Sequence, residues 1–210
     1  AIGKVLEALV GMHILKNVVG FNTNFKNLKD IFNLLVFAGL MSTMISATIG
    51  VFSLYSSVVI NEATYAKVWF SWWFGDALSI LIITPLILVL FNYKDYKNIL
   101  KMNKNKAVEA IILTLLIVFV NLIIFLNILG IRFNGLPTAY LAFPFLIWAS
   151  VRFCRVGAST SIFITSIIAV IGTGKGLGPF ALNNLHSSLL FLQIFVGVTA
   201  ITMLVLATIT

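Results

Sequence analysis

Long stretches of this chain carry no charge, and that constrains the fold more than any motif does. No Asp, Glu, Lys or Arg occurs in Ile31–Asn61 (31 residues), Ala110–Ile131 (22) or Gly176–Thr210 (35). Ala77–Tyr93, Phe133–Val151 and Val156–Gly174 are uncharged over 17, 19 and 19 residues. A helix of ~20 predominantly apolar residues crosses the hydrocarbon core of a bilayer. In lipid every backbone N–H and C=O needs an internal partner, which only helices and closed barrels supply. Barrel strands alternate apolar and polar positions over ~10 residues, whereas these runs are apolar throughout. The composition agrees. It is 60% apolar and 10% charged with mean hydropathy +1.10, against roughly 25% charged for a soluble domain. The sequence predicts an all-α, polytopic transmembrane helical bundle.

About seven spans fit, at roughly 1–16, 31–58, 68–91, 107–129, 137–152, 155–172 and 185–210. The second exceeds what a bilayer needs, so it tilts or projects. The fifth is short and holds Pro144, which allows a broken or re-entrant helix. No repeat or linker divides the chain, so residues 1–210 read as a single integral-membrane domain. Ten basic residues (Lys16, Lys26, Lys29, Lys94, Lys97, Lys101, Lys104, Lys106, Arg152, Arg155) fall in alternate loops. The intervening loops hold three: Lys67, Arg132 and Lys175. The positive-inside rule puts the rich side and the C-terminus in the cytoplasm.

The formal charge of +8 reads as topogenic charge with attraction to anionic membrane lipids, not as a nucleic-acid footprint. One cysteine, Cys154, permits no intrachain disulfide and no Cys-based metal site. His13 and His186 lack metal-ligand spacing and read as interfacial or packed. No catalytic motif is present, and neither a metal nor another cofactor is expected. The run Gly172-Thr-Gly-Lys-Gly-Leu-Gly-Pro179 is not a phosphate-binding P-loop, which needs GxxxxGK[ST] between a strand and a helix. Two readings stay open for it: an irregular hairpin, or an anion-binding nest of amides reinforced by Lys175.

The third span is the most informative. Trp69, Trp73, Asp76 and Ile80 share one helical face, and Trp72 borders it. Tryptophans suit an outer interfacial belt. Asp76 does not, because it lies ~13 Å along the helix from Lys67 at 1.5 Å per residue. An acid at mid-span costs ~2.5–3.5 kcal/mol on insertion scales, so it needs a partner, a water-lined cavity or a proton. The candidates for that partner are Lys175, Arg132, Asn121 and Gln193. Glu7 is a second intramembrane acid, flanked by Gly3 and Gly11. Counting from Lys16 places it nearer the cytoplasmic side than Asp76, so no direct pairing of the two acids is expected. Ser42, Ser46, Gly50 and Gly39, Thr43, Ala47 read as helix-packing surfaces. Asn121, Asn127 and Gln193 read as interhelical hydrogen-bonding groups. Asp76, Trp72, Trp73, Glu7 and Lys175 are the candidate ligand or signalling residues.

The Trp69–Pro85 stretch, WxxWWxGDALxILxxTP, resembles the bacterial membrane-associated sensor domain of type one. Three more segments are similar to that family in the same order: Leu6–Gly11 (LEALxG), Pro144–Phe153 (PxLxWAxxRF) and Gly172–Phe180 (GTxxGxGPF), the last followed by Gln193. The chain departs from the pattern at Ser79, Cys154 and Arg155. The resemblance implies one further span upstream. It also implies a non-catalytic sensory input module of the plasma membrane, feeding a cytoplasmic kinase or cyclase output domain in the same polypeptide. The stimulus, a small molecule or a membrane protein, is not named by it, and a homodimer is left open. The alternative reading is a vitamin-type transport component, which size and composition fit equally well.

Overall fold

The computed structural model describes residues 2–22, 27–91, 103–130 and 138–210. Every regular element among them is helical. In order these are α1 (Ile2–His13, then a π turn Ile14–Val18), α2 (Leu28–Ser56, π-wound over Leu34–Ser42) and α3 (Glu62–Phe91). There follow α4 (Lys104–Leu126), a 3₁₀ turn (Thr138–Ala142), α5 (Phe143–Gly174) and α6 (Leu185–Ile209). The chain forms two compact units, Ala1–Leu81 and Ile82–Thr210.

By length and composition, five of these helices can cross a membrane: Leu28–Ser56, Glu62–Phe91, Lys104–Leu126, Thr138–Gly174 and Leu185–Ile209. The expected seven spans differ from this in two places. The first helix runs 12 residues before its five-residue π turn and is not among these five. The fifth and sixth are one continuous stretch, interrupted at Cys154 by φ 48°, ψ −135°. Beyond that residue Gly157 sits against the Ala149 carbonyl, so closely that a Cβ would collide with it. Eight residues of unbroken helix rise about 12 Å, so α5 turns sharply at Cys154. Pro144 causes no break. It lies in the first turn of α5, where the absent N–H has no intrahelical partner to lose.

In the first unit α1 lies on α2 through small residues. A Cβ on Gly3 would stand 3.4 Å from Ile49 Cβ, and one on Gly11 3.0 Å from Ser42 Oγ. The start of α2 is fixed by Asp30, 5% exposed, whose carboxylate accepts the Asn22 and Asn27 backbone N–H groups at 3.2 and 3.3 Å. The small-residue faces expected on α2 are therefore packing surfaces.

In the second unit α5 ends in a Schellman turn. Gly176 takes φ +71° and donates its N–H to Thr173 O (3.0 Å), and Leu177 N–H reaches Gly172 O (2.9 Å). The chain then folds over the end of α4, which stops at Asn127 with φ 50°. Asn127 thus caps a helix, and among the described residues no bond of its side chain crosses the bundle. Gly172 and Gly178 both press on the Phe125 carbonyl. That approach stacks Phe180 on Phe125, centroids 6.0 Å apart, and brings it 5.1 Å from Phe195.

Gly178 combines φ +79° with space for a Cβ only 2.7 Å from Phe125 O. Gly178→Ala is expected to destabilise by at least about 1–2 kcal/mol. Gly174→Ala, in helix and in open space, is expected to be neutral or stabilising by up to about 1 kcal/mol. Thermal unfolding in detergent, followed by tryptophan fluorescence, checks the pair.

Candidate functional site

Asp76 and Glu7 meet on one lysine. Lys4 Nζ stands 2.6 Å from Asp76 Oδ2 and 3.1 Å from Glu7 Oε2. Ser46 Oγ donates to the same Asp76 oxygen at 3.2 Å. The cluster therefore takes a residue from α1 (twice), from α2 and from α3. Glu7 and Asp76 side chains are 9% and 16% exposed, while Lys4 is 52% exposed. Two carboxylates share one ammonium, which leaves one uncompensated negative charge among these groups.

The bonds of both acids run to Lys4 and not to each other, in keeping with the expectation of no direct pairing; what the sequence reading did not anticipate is the bridge. Counting from the helix ends fixed the depth of each acid separately, and it omitted Lys4, which bridges them. The legible signal for Lys4 was a cation in an apolar run, three residues before an acid on the same helix face. Within the first unit the partners of Asp76 are Lys4 and Ser46. Arg132, Lys26, Lys94, Lys97 and Lys101 lie outside the described residues.

The tryptophans orient α3. Trp73 Nε1 donates to Leu40 O at 2.8 Å. Leu40 lies in the π-wound stretch, where carbonyls are displaced from regular helical pairing. Trp69 stacks on Trp73 at 5.6 Å and donates Nε1 to Thr48 Oγ1 at 3.2 Å. Trp72 lies against Gly50, where a Cβ would stand 3.0 Å from its ring. Trp72 and Trp73, one turn before Asp76, thus both hold α3 to α2. Their polar atoms do not bond the acid itself.

Lys175 belongs to the second unit. The amides that might have made an anion nest around it are already used. Lys175, Gly176 and Leu177 N–H all donate to the closing carbonyls of α5. The hairpin reading is the one the geometry supports. Asn121 donates Nδ2 to Ile117 O of its own helix at 2.7 Å and makes no bond across the bundle among the described residues. His13 is paired with Asn17 at 3.0 Å. Among the described residues no three His, Cys, Asp or Glu side chains come together to hold a metal.

Removing the shared cation leaves two acids close together in apolar surroundings. Breaking a fully buried pair costs about 3–5 kcal/mol. Lys4 is half exposed, so Lys4→Met is expected to cost on the order of 1–3 kcal/mol. Lys4→Met with Asp76→Asn is expected to recover part of that loss. A double-mutant cycle on thermal stability checks the coupling, and additive losses would show that the contact carries no energy.

The sequence model of MASE1, a membrane-associated sensor domain, matches residues 1–210. No curated protein and no solved structure matches the chain. The family is sensory and not catalytic, and it gives no support to the transport reading. With several helices apolar enough to cross a membrane, this is a multi-pass membrane protein, and the chain belongs to the MASE1 family of membrane sensory input domains.

Proposed function

We propose that this domain passes a stimulus across the plasma membrane of a bacterium to a cytoplasmic output domain beyond Thr210, and that the Lys4–Glu7–Asp76 cluster is the element the stimulus biases. The observation that carries the reading is one ammonium shared by two acids from different helices. A stimulus shifts a two-state element only through a difference in affinity for the two states. A cluster with an unmatched charge in an apolar span has such a difference built in. Its energy changes whenever Lys4 moves away from either acid, or when a proton, cation or ligand supplies the missing positive charge.

Seven spans agree with this reading. They are α1 extended by its π turn, α2, α3, α4, the two arms of α5 on either side of Cys154, and α6. Lys104, Lys106, Arg152 and Arg155 then lie in the cytoplasm, and Gly176 lies outside. The distribution of ten basic residues against three supports that orientation and a cytoplasmic C-terminus.

Two experiments test the proposal. For topology, single cysteines are introduced at Gly176 and Lys104. The background is Cys154→Gly, since glycine accepts the positive φ at that position. An impermeant thiol reagent is expected to label the Gly176 position from outside, and the Lys104 position only after the membrane is opened. Labelling of both from the same side would reject seven spans. For signalling, Asp76→Asn in the full-length protein keeps size and hydrogen bonding while removing the charge. It is expected to insert and fold while changing output activity. Wild-type output from a stably folded Asp76→Asn protein would reject a charge-dependent role for the cluster.

A further inference from the structure

We propose that the cleft between α4 and the turn of α5 binds one anionic phospholipid, with an acyl chain in the cleft and the phosphate on the basic residues at its mouth. The inference is independent of the ion cluster. It requires only that these helices sit in a bilayer.

The cleft has a volume of about 300 Å³. Leu113, Ile117, Phe153 and Ile164 supply apolar wall. Thr114 and Thr160 also line it, but their hydroxyls donate to Ala110 O (2.8 Å) and Val156 O (2.6 Å) of their own helices. Their hydroxyls are thereby satisfied without a ligand. From Ala110 to Ile117 the cleft follows α4 for about 10 Å at 1.5 Å per residue. That is most of one leaflet's depth of roughly 15 Å. The adjoining face of α4 is apolar and exposed at Val108, Ile111, Ile112 and Leu115, as a surface against lipid should be.

The mouth is polar and basic. Glu109 and Arg152 immediately precede the lining residues Ala110 and Phe153. Arg152 grips Glu109 through Nε (2.9 Å to Oε1) and Nη2 (3.0 Å to Oε2). Trp148 Nε1 lies 3.4 Å from Oε1. Lys104 and Lys106 are exposed on the first turn of α4, and Arg155 follows the turn of α5. Lys106 is near enough to act electrostatically on Glu109. Among the described residues Arg152 and Lys106 both act on the Glu109 carboxylate, and Lys104 is exposed two residues before Lys106. A neutral lipid would make no use of that excess, and a soluble anion would make no use of the cleft. An anionic phospholipid uses both, with Trp148 suited to the headgroup level.

The test is native mass spectrometry of the delipidated full-length protein in detergent. It is titrated separately with phosphatidylglycerol, phosphatidylcholine and inorganic phosphate. One phosphatidylglycerol is expected to bind about tenfold more tightly than phosphatidylcholine, with no adduct from phosphate alone. Lys104→Gln with Lys106→Gln is expected to bring phosphatidylglycerol down toward the phosphatidylcholine level. Filling the cleft with Thr114→Trp is expected to weaken both lipids. Thr160→Met repeats that arm with a smaller side chain, and melting in detergent confirms that each variant is folded. Equal binding of the two lipids by the unaltered protein would overturn the proposal. So would phosphatidylglycerol binding that survives both cleft-filling variants, which would be diffuse surface attraction. A phosphate adduct equal to that of the lipid would make this a phosphate site and overturn it as well.

Discussion

Between helices in a bilayer the hydrophobic effect gives little, because a neighbouring side chain is no more apolar than a lipid tail. Association then depends on close approach and on polar groups that are already satisfied. The whole chain is arranged around that constraint. Gly3 and Gly11 let α1 rest on α2, Gly50 admits the Trp72 ring, and Gly157, Gly172 and Gly178 admit carbonyls. The buried hydroxyls of Ser42, Ser150 and Ser166 return to carbonyls one turn back on their own helices, at 2.6, 2.8 and 2.8 Å. A serine bonded in this way can sit in an apolar interface without an unpaired polar atom.

The ion cluster is a consequence of the same constraint. Once α1 lies close on α2 through glycines, Lys4 and Glu7 are carried to the height of Ser46. The π winding of α2 then presents the Leu40 carbonyl to Trp73. That bond sets the rotation of α3, and Asp76, three residues on, must face the α1–α2 pair. A carboxylate so placed finds Ser46 and Lys4 within reach. Motion of α1 relative to α3 therefore has to break the Lys4–Asp76 contact or carry both helices together.

Much of this was legible because helical periodicity is insensitive to tertiary detail. The runs between charged loops gave the helices, and the spacing of Trp69, Trp73 and Asp76 gave the face of α3. The small residues of α2 gave its packing surface. What was not legible depends on how one helix stands against another. The meeting of Glu7 and Asp76 needed the vertical offset of α1, which no count along a single helix contains. The glycine run after Ile171 carries two patterns at once, because a nest and a Schellman turn both call for glycine at positive φ. Only the destinations of the Lys175, Gly176 and Leu177 amides separate them. Whether the residues around Cys154 join or divide a helix depends on one φ angle.

The second unit meets the constraint differently from the first. In the first, Glu7, Asp30, Ser46 and Asp76 are all bonded. In the second, Asn121 Oδ1 and the hydroxyls of Ser159, Thr165, Thr173 and Thr199 are buried without a hydrogen-bond partner among the described residues. A buried polar atom left unpaired costs about 1–3 kcal/mol. These atoms therefore contribute no orientation to the contacts of α4, α5 and α6. Besides the Arg152–Glu109 pair between α5 and α4, what sets those contacts is shape: the glycine approaches to Phe125, and the aromatic group in which Phe195 meets Phe125, Phe143 and Phe180 at 5.7, 6.2 and 5.1 Å. Ring contacts of this kind are worth about 0.5–1.5 kcal/mol each beyond the area they bury. They prefer particular angles but tolerate a range of them. Within its own unit α6 thus gains dense, weakly directional ring packing, whereas α1, α2 and α3 meet at bonds that fix position.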